Sequence, residues 1–198
     1  MWLVVINPSS GQGKGALFAQ KVTNLLSSKD IEYQVLSADS AHSLRRELEV
    51  TVDTREFQGI ISIGGDGLAH LVLQVAVSRR IPFAVIPAGT GNDIVRTLGW
   101  SLTDLNGYLE RILSTPPSEI DLGNVDSEWF AAILSTGFDS IVNERANRLS
   151  WPQGPQRYNV AIALELPRFN PIEYQITMDS MTITTEAMLI AVGNGRSY

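Results

Sequence analysis

The sequence contains no cysteine. Disulfides, thiolate nucleophiles and zinc–thiolate centres are excluded with it. Long hydrophobic runs are missing as well. The opening apolar run Trp2–Ile6 has no basic residue before it and is too short for a signal peptide. No stretch approaches the roughly eighteen apolar residues of a membrane span. Positive charge is in deficit, with a formal net charge of -6. That balance argues against nucleic acid, whose phosphates attract basic surfaces. It gives no whole-chain attraction to anionic membranes and leaves a local basic face open. A soluble cytoplasmic protein is the expectation.

Apolar residues make up 44% of the 198 and charged residues 18%. That balance suits a chain that buries a sizeable core. Trp2–Ile6 is a short, branched apolar run and reads as a buried strand, and Tyr33–Leu36, Gly59–Ile63 and Phe83–Ile86 also read as strands. Between and after them, Ala16–Leu26, Ser43–Val52, Leu68–Val77 and Leu105–Leu113 read as helices. Strands alternating with helices predict an α/β fold: a three-layer domain with a parallel sheet covered on both faces. Pro116-Pro117 interrupts the pattern. The expected division is 1–117, a nucleotide-binding α/β domain, and 118–198, an incomplete β-rich domain. In the second part Ile120–Val125, Trp129–Leu134, Tyr174–Met178 and Met181–Val192 read as strands, and Glu144–Leu149 and Tyr158–Leu166 as helices. Trp151, Ile162 and Leu166 offer apolar side chains either to an acyl groove or to helical core packing. There is no internal repeat and no low-complexity segment.

Three glycine-rich loops follow three of the strands, where ligands sit in parallel sheets. The first is Asn7-Pro8-Ser9-Ser10-Gly11-Gln12-Gly13-Lys14. It lacks the spacing of a P-loop. Gly11, Gly13 and Ala16 fit a loose dinucleotide fingerprint, with Asp39 past the second strand as a ribose partner. Free backbone N–H groups at the helix start would hold a phosphate, helped by Lys14 and the Ser10 hydroxyl. The alternative is a plain strand-to-helix turn. The second loop is Gly64-Gly65-Asp66-Gly67. Its glycines let backbone approach a ligand closely. Asp66 could hold a metal, cap a helix, or do both. The third loop, Gly89-Thr90-Gly91-Asn92-Asp93 with Arg96 one turn on, offers hydroxyl, amide and carboxylate groups to a ribose, a phosphate or a hydrated metal. A simple turn is the alternative there.

These three loops together resemble the signature loops of the diacylglycerol kinase catalytic domain family. That family includes bacterial lipid kinases, sphingosine kinases and ceramide kinase. Ile120-Asp121-Leu122-Gly123, Ser135-Thr136-Gly137-Phe138-Asp139 and Asn194-Gly195 resemble later segments of it. The resemblance implies ATP and Mg2+ in a cleft between two domains. It also implies transfer of the γ-phosphoryl group to the hydroxyl of a lipid such as diacylglycerol or a sphingoid base, and peripheral contact with a membrane. The implied nucleotide site comprises Asn7, Ser10, Gly11, Gly13, Lys14, Gly64, Gly65, Asp66, Gly67, Gly89, Thr90, Gly91 and Asn92. Asp66 is the implied metal ligand, and Asp93, Arg96 and Asp139 support or contact substrate. Two departures stand out. The commonest pattern has threonine and glutamate where this chain has Leu68 and Leu71. Leu68-Ala69-His70 resembles the sphingosine kinase variant, whereas Leu71 removes a carboxylate. His70 is either a phosphate or substrate contact or a helix-surface residue. The family also continues past Asn194-Gly195 through an acidic segment carrying its catalytic carboxylate. The base is therefore expected beyond Tyr198, and lipid phosphorylation by these residues alone is expected to be impaired. An NAD kinase-like enzyme and a non-catalytic nucleotide-binding remnant are the alternatives.

Overall fold

The computed structural model describes residues 1–89, 91–99, 104–152, 154 and 156–195. They form two compact units, Met1–Ala132 joined by Asn194 and Gly195, and Ile133–Gly193.

The first unit is built on four parallel strands: β1 (Trp2–Ile6), β2 (Tyr33–Leu36), β3 (Gly59–Gly64) and β4 (Phe83–Pro87). Their order is β2-β1-β3-β4. Registers such as Val4↔Ile61 and Ile61↔Ala84 align the carboxyl ends of β1, β3 and β4. The branched residues of β1 and β3 are buried on both faces, as a doubly covered sheet requires. Leu3, Val5 and Ile60 face the helices α2 (Ala41–Thr54) and α3 (Asp66–Arg79), packing with Leu44, Leu48, Val72 and Val75. Val4, Ile6, Ile61 and Ile63 face α1 (Lys14–Ser28) and α5 (Leu105–Ser114), packing with Val22, Leu26 and Leu109. Truncating a fully buried leucine such as Leu48 to alanine would cost about 2–5 kcal/mol. Local chemistry sets the helix starts. Ser40 caps α2, its Oγ accepting the Ser43 N–H at 3.1 Å. Asp104 caps α5 by accepting the N–H groups of Asn106 and Gly107 at 3.1 and 3.0 Å. A one-turn helix, α4 (Asp93–Thr97), follows the third loop.

The expected boundary at residue 117 falls inside this unit. Residues 118–132 stay with it, and they include a hairpin of β5 (Gly123–Val125) and β6 (Glu128–Phe130). The cause is a buried glutamine in α3. Gln74 Nε2 donates to the Trp129 carbonyl at 2.8 Å, and Gln74 Oε1 accepts the Trp129 N–H at 2.9 Å. One amide thus satisfies both backbone groups of Trp129, as a neighbouring strand would. Asn194 fastens the same region, its Nδ2 donating to the carbonyls of Asp121 (2.7 Å) and Ala131 (3.2 Å).

The second unit contains β7 (Ile133–Gly137), paired antiparallel with β10 (Leu189–Gly193), and a hairpin of β8 (Ile172–Met178) and β9 (Met181–Ala187). Its strands make it the β-rich part of the chain. Two expected strands are each broken in two. Trp129–Leu134 divides because the Ala131 and Ala132 carbonyls accept from Asn194 instead of a strand partner. Met181–Val192 divides at Met188, whose carbonyl accepts the Phe138 N–H at 2.8 Å, so that the chain changes partner from β8 to β7. Helices α6 (Phe138–Arg148) and α7 (Gln156–Glu165) pack through Val142, Ala146 and Ala161, with Phe138 edge-on to Phe169 at 5.2 Å. Among the described residues no helix is long and apolar enough to cross a membrane.

Candidate functional site

With strand order β2-β1-β3-β4, connections leave in opposite directions on either side of the β1–β3 pair. Open parallel sheets bind ligands outside the strand ends at such a switch point. The first and second glycine loops are the carboxyl ends of β1 and β3, and the third is that of β4. Backbone bonds tie them together. The Asn7 N–H donates to Ile63 O at 3.0 Å and the Ala88 N–H to Gly64 O at 2.8 Å.

Glycine is required where the loops touch. A Cβ on Gly11 (φ +59°) would lie 1.9 Å from the Ala88 carbonyl oxygen, and one on Gly89 would lie 2.6 Å from Gly65 Cα. Gly11, Gln12 and Gly13 all have positive φ. The turn is shaped by Asn7, whose Oδ1 accepts the Ser9 N–H at 3.2 Å and the Ser9 hydroxyl at 2.9 Å. Among the described residues the N–H groups of Gly11, Gln12 and Gly13 have no hydrogen-bond acceptor. Helix α1 begins there with no side-chain cap and no acidic residue in its first turn, while its first residue is the exposed Lys14. A cation at the positive end of a helix dipole is unfavourable unless an anion joins it. The combination of free amides, helix start and ammonium group is suited to a phosphate. Ser10 lies beside this loop contact, its Oγ 3.8 Å from where a Gly65 Cβ would stand.

Asp66 opens α3 and braces the third loop. Its Oδ2 accepts the Asn92 N–H and its Oδ1 the Asp93 N–H, both at 2.7 Å. Gly91 sits against this carboxylate, where a Cβ would lie 2.7 Å from Asp66 Oδ2 and 3.5 Å from Asp93 Oδ2. Asn92 holds a left-handed backbone (φ 60°), and its Nδ2 donates to the Gly89 carbonyl at 3.1 Å. Its Oδ1 is buried with no donor among the described residues. Arg96 Nη1 reaches back to Asp93 Oδ1 at 3.4 Å. Thr90 lies outside the described residues. Among those described, no group of three His, Asp or Glu residues gathers that could hold a metal alone. Magnesium is commonly held by one or two carboxylates together with phosphate oxygens and waters. Asp66 and Asp93 with the orphan Asn92 acceptor fit that hydrated mode.

A cavity of about 650 Å³ lies beside the loops, lined by Asn7, Pro8, Ser9, Ser37, Ala38, Asp39, Ser40, Ala41, Leu44, Gly67, Leu68 and Leu71. Of these, Asn7, Asp39 and Gly67 are expected site residues from the sequence and Leu68 and Leu71 are the departures from the family pattern, whereas Ser37, Ala38, Ser40, Ala41 and Leu44 are not expected there. Their signal was position, since they follow the carboxyl end of β2, next to β1. His70 points elsewhere, its Nε2 3.5 Å from Glu128, which also pairs with Arg45. A second cavity, of about 490 Å³, lies within the second unit between β7, α6 and α7. Asp139, in the first turn of α6, lines it with Ser135, Ser140, Asn143, Tyr158 and Ile162. Trp151 and Leu166 are exposed outside it.

The fold defines a protein of the α/β class, with a four-stranded parallel sheet and a β-rich second unit. Residues 1–125 match the diacylglycerol kinase catalytic domain model, and residues 132–198 match the YegS C-terminal NAD kinase beta sandwich-like domain. The chain belongs to the diacylglycerol kinase catalytic domain family. It is 33% identical to a diacylglycerol kinase of Mycobacterium tuberculosis, over 97% of this chain and 64% of that protein. It is 30% identical to sphingoid long-chain bases kinase 1 of Arabidopsis thaliana, over 87% of this chain and 25% of that protein. A crystal structure of a diacylglycerol kinase from Bacillus anthracis has the same fold, with a TM-score of 0.72 at 22% identity, over 100% of this chain and 66% of that one. The chain thus spans a little under two thirds of the length of the mycobacterial relative.

Proposed function

We propose that the chain binds ATP with magnesium at the three glycine loops and serves an ATP-dependent lipid kinase. The observation that carries this reading is the set of unpartnered amides at Gly11–Gly13, held against the Ala88 carbonyl and the Gly65–Gly89 contact. Those amides and Lys14 would hold the phosphates. Asp66, Asp93 and Asn92 would hold the hydrated ion. Magnesium, when bound, would neutralise charge on the transferring phosphoryl group. Phosphoryl transfer depends on positioning and charge stabilisation, which is what such loops supply. In the reaction a lipid hydroxyl oxygen bonds to the γ-phosphorus, the bond to the β,γ-bridging oxygen breaks, ADP leaves, and the hydroxyl proton passes to a base. The cavity carrying Asp139, Asn143 and Tyr158 beside Ile133, Leu134 and Ile162 has the mixed polar and apolar lining that a lipid head with its first methylenes requires. The names of the mycobacterial and Arabidopsis relatives support a diacylglycerol or a sphingoid base as acceptor.

The test is titration of the chain with ATP, with and without magnesium, followed by incubation with γ-labelled ATP and micelles containing diacylglycerol or sphingosine. A parallel arm contains NAD, because the second family model is named for NAD kinase. Label in lipid is the result that supports the lipid kinase reading. Label in NADP would replace the lipid reading. Binding without transfer to either acceptor would leave a nucleotide-binding role alone. No ATP binding would overturn the proposal.

A further inference from the structure

Within the nucleotide reading, on which this inference rests, the cavity beside the loops has one chemical feature that phosphate binding does not use. Asp39 is the only charged side chain in its lining among the described residues. It stands three residues past the end of β2, the strand paired with β1. The cap of the following helix α2 is Ser40, which leaves the Asp39 carboxylate free of that task. Opposite polarity comes from Leu44, Leu68 and Leu71, which are buried or partly buried in the core cluster under α2 and α3. The phosphate cradle at Gly11–Gly13 is continuous in sequence with Asn7 and Ser9 of the same lining.

We propose that Asp39 is the residue that selects the ribose, accepting both hydroxyls of its vicinal diol while the base lies along the leucine wall. A carboxylate has two acceptor oxygens, and a ribose 2′,3′-diol presents two donors at matching separation. In α/β nucleotide sites an acidic side chain after the second strand commonly plays this part. The α3 residues that line the cavity, Gly67, Leu68 and Leu71, carry no carboxylate to compete with it. The same charge would repel a ribose carrying a 2′-phosphate.

The experiment is isothermal titration of the chain with magnesium and either ATP or 2′,3′-dideoxy-ATP, which keeps the base and triphosphate and lacks both hydroxyls. The unaltered chain should prefer ATP by about tenfold, the scale of a charge-assisted hydrogen bond at a solvent-accessible site. Asp39→Ala should bind ATP about tenfold more weakly and dideoxy-ATP with unchanged affinity, so that the preference disappears. Asp39→Asn, which keeps one acceptor and no charge, should fall between. Asp39 is exposed, so a melting curve should show these variants folded. ATP binding that is unaffected by Asp39→Ala, or a preference for ATP that survives it, would overturn the assignment and leave the loop site standing. Absence of ATP binding by the unaltered chain would remove the nucleotide reading and this inference with it.

Discussion

The Asp66 carboxylate accepts the backbone N–H of Asn92 at 2.7 Å through Oδ2, while its other oxygen takes the Asp93 N–H. One side chain at the start of α3 thereby fixes the shape of the loop after β4. Sequence reasoning offered Asp66 as a metal ligand or a helix cap. The structure overturns the cap, because Gly65 is the residue that precedes α3 and no side chain bonds to the helix start, and it gives the carboxylate another task, bracing a neighbouring loop.

That relationship separates two consequences of removing the carboxylate. Asp66→Ala should weaken ATP binding even when magnesium is chelated, because the third loop loses two charge-assisted hydrogen bonds, each worth about 1.5–3 kcal/mol. If Asp66 also serves the ion, the loss should be larger still with magnesium present. Paired titrations in magnesium and in chelator read both quantities. Equal losses in the two conditions would confine Asp66 to the brace.

The loop glycines should respond according to what their missing Cβ would meet. Gly89→Ala places a methyl group 2.6 Å from Gly65 Cα. It should lower ATP affinity and cost about 1–3 kcal/mol, as overpacking does. Gly91→Val presses on the Asp66 carboxylate and should abolish nucleotide binding in a folded protein. Gly67, by contrast, sits in the first turn of α3, and a Cβ there would meet no heavy atom within 4 Å. Gly67→Ala should leave stability unchanged or raise it by about 0.5–1 kcal/mol. Chemical denaturation beside nucleotide titration distinguishes the three.

Gln74→Leu should destabilise the first unit by about 2–4 kcal/mol, since it strands both the N–H and the carbonyl of Trp129. Urea unfolding measures the loss. A Gln74→Leu protein as stable as the original would mean that water or another group satisfies Trp129.

A pH effect should arise from Asp53 and Arg79, which join α2 to α3. Arg79 Nε and Nη2 meet the two Asp53 oxygens at 2.7 and 3.0 Å. The hydrogen-bonded guanidinium holds the Asp53 carboxyl below its usual value. A carboxylate with a lowered folded-state pKa adds stability above its unfolded pKa of about 3.9 and loses it as pH falls through the folded value. Asp53→Asn should therefore lower the melting temperature slightly at neutral pH. The gap to the unaltered chain should close in acid. A gap that persists at a pH of about 2, well below the ordinary carboxylate range, would assign the effect to packing instead of charge.

Much of the first unit was legible in the sequence because its signals are local. The segments Trp2–Ile6 and Tyr33–Leu36, read as strands from their sequence, have the bounds of β1 and β2. Gly64-Gly65-Asp66-Gly67 marks a strand end and a helix start through residue type alone. The second unit was less legible because its breaks are made by partners distant in sequence. Nothing in Trp129–Leu134 announces that Asn194 will take the Ala131 and Ala132 carbonyls. Nothing in Met181–Val192 announces that the Met188 carbonyl will accept from Phe138.

By itself, then, the sequence determined the alternation of strands and helices, the family, and the three loops, since apolar period and glycine placement act over a few residues. Only the tertiary structure decided which strands lie side by side. From that order follow the meeting of Gly65 with Gly89, the bond from Asn92 to Asp66, and the joining of the segment after β2 to the first loop around a single cavity. The physical reason is that hydrogen bonds and close backbone contacts depend on distance in space, and residues 26 apart, such as Asp66 and Asn92, are brought to 2.7 Å only when the sheet has assembled.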